Sequence, residues 1–128
     1  MSLKVVNVGE LVLLKRALNL NKYRLKLFTN DYTPTESDTT SDYTEASVTG
    51  YSDLTLTIGA WNIATIGATS WATYAEQTFN LSGAVTVYGY HVTDLSGATL
   101  IWAERATSAF AFTASGGEMK VRPKISFD

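Results

Sequence analysis

His91 is the only histidine of a 128-residue chain that contains no cysteine. A Ser-His-Asp site is formally within reach, but the chain has no nucleophile-elbow motif to present a serine. Zinc sites usually draw on several His or Cys ligands, and one histidine falls short. Glu76 and Glu104 form a candidate glycosidase pair, whose chemistry depends on a separation that sequence does not give. The competing reading puts each at a strand end or pairs it with a base such as Arg105. Asp31, Glu36, Asp38, Asp42 and Glu45 crowd one stretch with oxygen ligands suited to calcium, yet the EF-hand spacing and its glycine are missing. Asn80-Leu81-Ser82 matches the glycosylation triplet. The N-terminus lacks a signal peptide's apolar core, so the match reads as accidental. Trp61, Trp71, Trp102 and seven tyrosines offer either a sugar platform or core packing, and aromatics in a small sandwich are mostly core. No phosphate loop or dinucleotide fingerprint appears. The expectation is a non-enzymatic protein without metal or cofactor.

The elements that hold these residues are mostly strands. Val85–Thr93 is rich in β-branched and aromatic residues, Asp94-Leu95-Ser96-Gly97 supplies turn formers, and Ala98–Ala103 is a second apolar run. This is a β-hairpin, with large side chains on both faces, as expected of a central pair covered on both sides. Gly89, between two tyrosines, marks a place where a neighbour approaches closely. Val8–Leu18 is the one convincing helix: Leu11, Leu14 and Leu18 form its apolar stripe, Asn7 is its N-cap, and Lys15 and Arg16 suit its last turn. Met1–Val6 reads as an extended arm.

Tyr23–Thr29 alternates as a half-buried strand, with Tyr23, Leu25 and Leu27 inward and Arg24 and Lys26 outward. Residues 30–46 make a long polar loop, expected to be exposed and mobile. Tyr51–Ile58, Trp61–Ile66, Thr69–Thr73, Gln77–Leu81 and Ala109–Thr113 read as further strands. Glu118–Phe127 is the last, with Met119, Val121, Ile125 and Phe127 inward and Lys120, Arg122 and Lys124 outward. Pro123 places it at an edge or kinks it. Short strands at regular spacing indicate one all-β domain over residues 1–128, an antiparallel β-sandwich, jelly-roll-like, with one short N-terminal helix.

No apolar run approaches the roughly 20 residues of a membrane span, and a net charge of −2 does not favour nucleic acid. The distribution of charge says more. Residues 1–26 hold six basic side chains and one acidic, residues 27–104 hold nine acidic and none basic, and residues 105–128 hold four basic and two acidic. If the first and last strands are neighbours, the ends make one basic face for an acidic partner, with Arg24, Lys26, Lys120, Arg122 and Lys124 as its contacts.

The order LKLFTNDYTPTESDT, YTEA, GY, TLT, a tryptophan, YAEQTF, GAVTVYGYHVTD, LIWAER and a closing KVRPKI resembles a family of small virion proteins of tailed phages, similar to head decoration or cement proteins. The likeness runs from the Gly9-Glu10 helix to Ile125, and only Arg122, where threonine is common, departs from it. It implies a β-sandwich made in the host cytoplasm and carried on the capsid exterior, bound to the major capsid protein and to itself, as a homotrimer. Leu3, Val5, Leu11 and Leu14 are the attachment candidates. The alternative is a receptor- or glycan-binding head of a tail or head fibre.

Overall fold

The computed structural model describes residues 3, 4 and 6–127. The chain runs α1 (Asn7–Asn19), β1 (Tyr23–Phe28), a 3-10 turn (Thr40–Asp42), β2 (Leu54–Leu56), β3 (Asn62–Ile66), β4 (Thr69–Thr73), β5 (Gln77–Leu81), β6 (Val85–Asp94), β7 (Leu100–Phe112), β8 (Gly117–Val121) and β9 (Lys124–Phe127). All pairings are antiparallel, in sheets ordered β2-β1-β6-β7, β3-β4-β9 and β5-β8. The chain is the expected β-rich antiparallel sandwich with one short N-terminal helix.

Strand β1 buries Tyr23, Leu25 and Leu27 and turns Arg24 and Lys26 to the other face, as its alternation requires. Between β1 and β7 lies β6, buried on both faces from Gly89 to Thr93. Its partner β7 is an edge strand, so the hairpin is central on one side only. The turn closes through the Asp94 carboxylate, which accepts from the Ser96 hydroxyl and the Ala98 and Thr99 amides. Gly97 takes the positive φ of +82° that the turn needs. At Gly89 a Cβ would collide with the Glu104 carbonyl oxygen and come within 2.8 Å of the Phe28 ring, the close approach its position suggests.

Helix α1 is capped differently from expectation. Val6 is its N-cap, with no side-chain bond, and Asn7 is already helical. Its inner face, Glu10, Leu14 and Leu18, packs toward β3 and β4, while Leu11 is half-buried. The Tyr23 hydroxyl donates to the Ala17 carbonyl at 2.5 Å and ties the helix to β1. Only Leu54–Leu56 of the expected 51–58 strand pairs, and Ile58 is exposed. Residues 109–113 are largely absorbed into β7.

The predicted final strand breaks at Arg122-Pro123 into β8 and β9, which belong to different sheets. Proline cannot donate to a ladder, and Pro123 is fully buried with its carbonyl accepting from the Tyr74 amide at 3.0 Å. Met119 and Val121 are buried and Ile125 half-buried; the side chain of Phe127 lies outside the described residues.

Candidate interaction surface

The acidic loop is folded around its own carboxylates. Asp38 accepts from the Tyr32 hydroxyl at 2.6 Å, the Tyr43 hydroxyl at 2.6 Å and the Thr35 amide at 2.8 Å. Partial desolvation acts to raise this carboxyl, but the bonds from Thr35, Tyr32 and Tyr43 outweigh it and hold the group well below its ordinary range. Asp42 closes a capping box with Thr39 across the 3-10 turn. Asp31 pairs with Arg105 at 2.6 Å, and Glu45 accepts from Tyr51 at 2.8 Å and lies 3.7 Å from Lys26. Most of these acids are engaged, and among the described residues no three His, Cys, Asp or Glu side chains are grouped to hold a metal. About half of the loop is exposed, but Tyr43 and Ala46 are buried. The Tyr43 ring stacks on His91 at 5.2 Å and meets Phe28 edge-on at 5.0 Å, latching the loop to the central strand. The loop is only partly exposed, against the expectation of an open excursion, because its own hydrogen bonds and Tyr43 hold it to the body.

His91 is 3% exposed, opposite Lys26 in the β1–β6 register. Burial, with the Lys26 charge beside it, lowers its pKa to about 4. No serine–histidine hydrogen bond is present among the described residues, and Nδ1 of His91 has no protein partner. The two glutamates take separate roles. Glu76 is exposed between β4 and β5, and Glu104 on β7 faces Lys124 at 3.7 Å rather than Arg105. Trp61 packs against Tyr74 at 5.0 Å and Trp102 at 5.9 Å; Trp61 is buried in the core and Trp102 half-buried against it. Trp71 is half-buried under the Lys124 ammonium, 5.7 Å from its ring centre.

The five basic candidates separate into two groups. Arg24 holds Asp53 at 3.1 Å and donates to the Leu95 carbonyl at 2.7 Å. Lys26 is largely buried against Glu45. Both lie on β1, whose neighbours are β2 and β6, so β1 is adjacent to neither β8 nor β9 and no single basic face forms. Lys120, Arg122 and Lys124 lie instead along the β8–β9 segment. They line a cleft of about 320 Å³ together with Arg105 and Glu104 of β7 and Tyr90 of β6. The Tyr90 hydroxyl spans the base of this region, donating to the Lys124 carbonyl and accepting from its amide, both at 3.3 Å. Burial pushes this hydroxyl well above the usual tyrosine range.

The attachment candidates also divide. Leu14 is 1% exposed and belongs to the core, because the inner face of α1 needs it there. Leu11 is half-buried, Leu3 is 94% exposed, and Val5 lies outside the described residues. The outer face of α1 presents Val8, Val12, Leu13 and Leu20, which a strict Leu11-Leu14-Leu18 stripe does not anticipate. Among the described residues no helix is long and apolar enough to cross a membrane. Comparison with protein-family models, with curated proteins and with solved structures finds no match.

Proposed function

We propose that this protein is a non-enzymatic virion protein of a tailed phage, which decorates the capsid exterior and braces neighbouring capsomers. The observation that carries the reading is the ordered run of segments from Leu25 to Ile125 that resembles such proteins. Two features support it. The outer face of α1 leaves Val8, Val12, Leu13 and Leu20 in water, a cost that an assembly partner removes. Lys120 and Arg122 are exposed, and among the described residues neither has an ion-pair partner. The partners are the major capsid protein and other copies of the same chain, and neither nucleic acid nor membrane is required.

The test is co-sedimentation with empty capsids. Saturable binding at a fixed copy number per capsomer is expected, weakening as salt rises, because exposed charges are screened over roughly 8 Å at physiological ionic strength. Absence of co-sedimentation at low salt defeats the reading. A specific hit on a glycan array supports the fibre-head alternative, which gains nothing from Trp61 because it is buried.

The assembly state of the decorating unit is a homotrimer, built through the outer face of α1 and the residues before it. The basic Lys15 and Arg16 flank the apolar side chains on this helix and complement the acidic middle of a second copy. Light scattering is expected to give three times the chain mass, and removing residues 1–6 to shift the protein toward monomer. A monomer in the absence of capsids and in their presence contradicts the trimer.

A further inference from the structure

Around Gly89 the β6–β7 ladder loses its regular step. Val87 pairs with Phe110 and Gly89 with Arg105, so the four residues Ala106–Ala109 face only Tyr88. A bulge of this size pushes β7 away from its partner and disrupts the local ladder. No strand covers the other edge of β7 among the described residues, and Thr107–Ala111 are exposed. The bulge therefore presents backbone donors and acceptors at the mouth of the cleft between β7 and the β8–β9 segment. Phe110, 48% exposed, stands on the same wall.

The charge of the cleft is one-sided. Arg105, Lys120, Arg122 and Lys124 line it against one carboxylate, Glu104. Asp31 answers Arg105 and Glu104 answers Lys124, which leaves Lys120 and Arg122 without a carboxylate within ion-pair distance among the described residues. Cations clustered beside an apolar ring and a free strand edge complement an extended peptide with carboxylates flanking an apolar side chain.

We propose that this cleft docks an extended acidic segment of a partner protein, its carboxylates held by Lys120 and Arg122, its apolar side chain against Phe110, and its backbone along the free edge of β7. The proposal deepens the capsid-docking reading and rests on it only for the partner's identity. The mode is strand addition: main-chain bonds give attachment, and the cationic wall selects acidic sequences.

The test is an NMR titration of the ¹⁵N-labelled full chain with acetyl-Glu-Glu-Phe-Glu-Glu-amide. The neutral acetyl-Gln-Gln-Phe-Gln-Gln-amide and an oligothymidylate serve as controls. The acidic peptide is expected to shift amides over 105–111 and 118–124, to bind at least tenfold more tightly than the neutral peptide, and to bind more tightly than the oligonucleotide. Lys120→Ala with Arg122→Ala is expected to lower its affinity roughly tenfold or more. Phe110→Ser, which keeps every charge, is expected to weaken it as well. All three positions are exposed, and an unchanged spectrum away from the cleft certifies the fold. Equal binding of the neutral peptide, tighter binding of the oligonucleotide, or indifference to the double substitution overturns the proposal. So do shifts spread over Lys4, Lys15 and Lys22. Capsids bound equally by the wild type and the double variant would remove the cleft and leave the capsid reading intact. Peptide binding in the cleft by a protein that ignores capsids would do the reverse.

Discussion

Gly89→Ala is expected to destabilise the domain by about 3 kcal/mol, the upper end of what overpacking a filled interior costs. The methyl group would meet two obstacles that cannot both retreat. One is the Glu104 carbonyl oxygen, held by the β6–β7 ladder, and the other is the Phe28 ring, which is fully buried. Moving the carbonyl breaks pairing beside the bulge, and moving the ring disturbs its contact with Tyr43. For a chain of this length the loss lowers the melting temperature by roughly 10 °C. Thermal denaturation followed by circular dichroism measures it, and a loss under about 1 kcal/mol would show that the site relaxes freely.

Acid weakens the domain through His91. Its pKa is about 4 in the folded chain against an ordinary 6.5, because burial and the Lys26 ammonium disfavour the charged ring. Above pH 6.5 both folded and unfolded states carry a neutral imidazole. Between pH 6.5 and pH 4 the unfolded chain takes up a proton that the folded chain refuses, so stability falls with pH. The difference reaches about 3 kcal/mol near pH 4, from 1.36 kcal/mol per pKa unit. Below that window the carboxylates of Asp38 and Asp94, both held below their ordinary range, are the groups whose protonation matters. His91→Phe retains an aromatic ring against Tyr43 and removes the proton. Denaturant unfolding is expected to show the slope between pH 5 and 6.5 in the wild type and little or none there in the variant. Equal slopes would place the acid sensitivity elsewhere.

Most of the architecture is legible from alternation and turn residues. The β1 pattern, the Asp94–Gly97 turn and the close approach at Gly89 all follow from residue type and position. The break at Pro123 was legible as a kink, but the exchange of sheets across it was not, because period-2 burial runs through both halves. The β6–β7 bulge left no local mark, since Ala106–Ala109 is a run of small residues that fits a strand or an excursion equally well. Composition misjudged the loop for a related reason. Asp38 and Tyr43 look like solvated polar residues until tertiary contact joins them to Tyr32, Phe28 and His91. The charge segregation was visible along the chain, but its division into a paired set on β1 and an uncompensated set beside the cleft depends on strand order.

The order β2-β1-β6-β7 has a kinetic consequence. The β6–β7 hairpin closes across Asp94–Thr99, whereas β1 must find β6 with Phe28 opposite Gly89, 61 positions along the chain. By the logarithmic dependence of loop closure on length, the second event costs about 2 kcal/mol more entropy than the first. The hairpin therefore forms early and β1 docks late, at the millisecond-to-second rates of non-local sheets. Until it docks, β6, which is buried on both faces from Gly89 to Thr93 in the finished fold, has an open side. During that interval the folding chain is most exposed to capture by another copy.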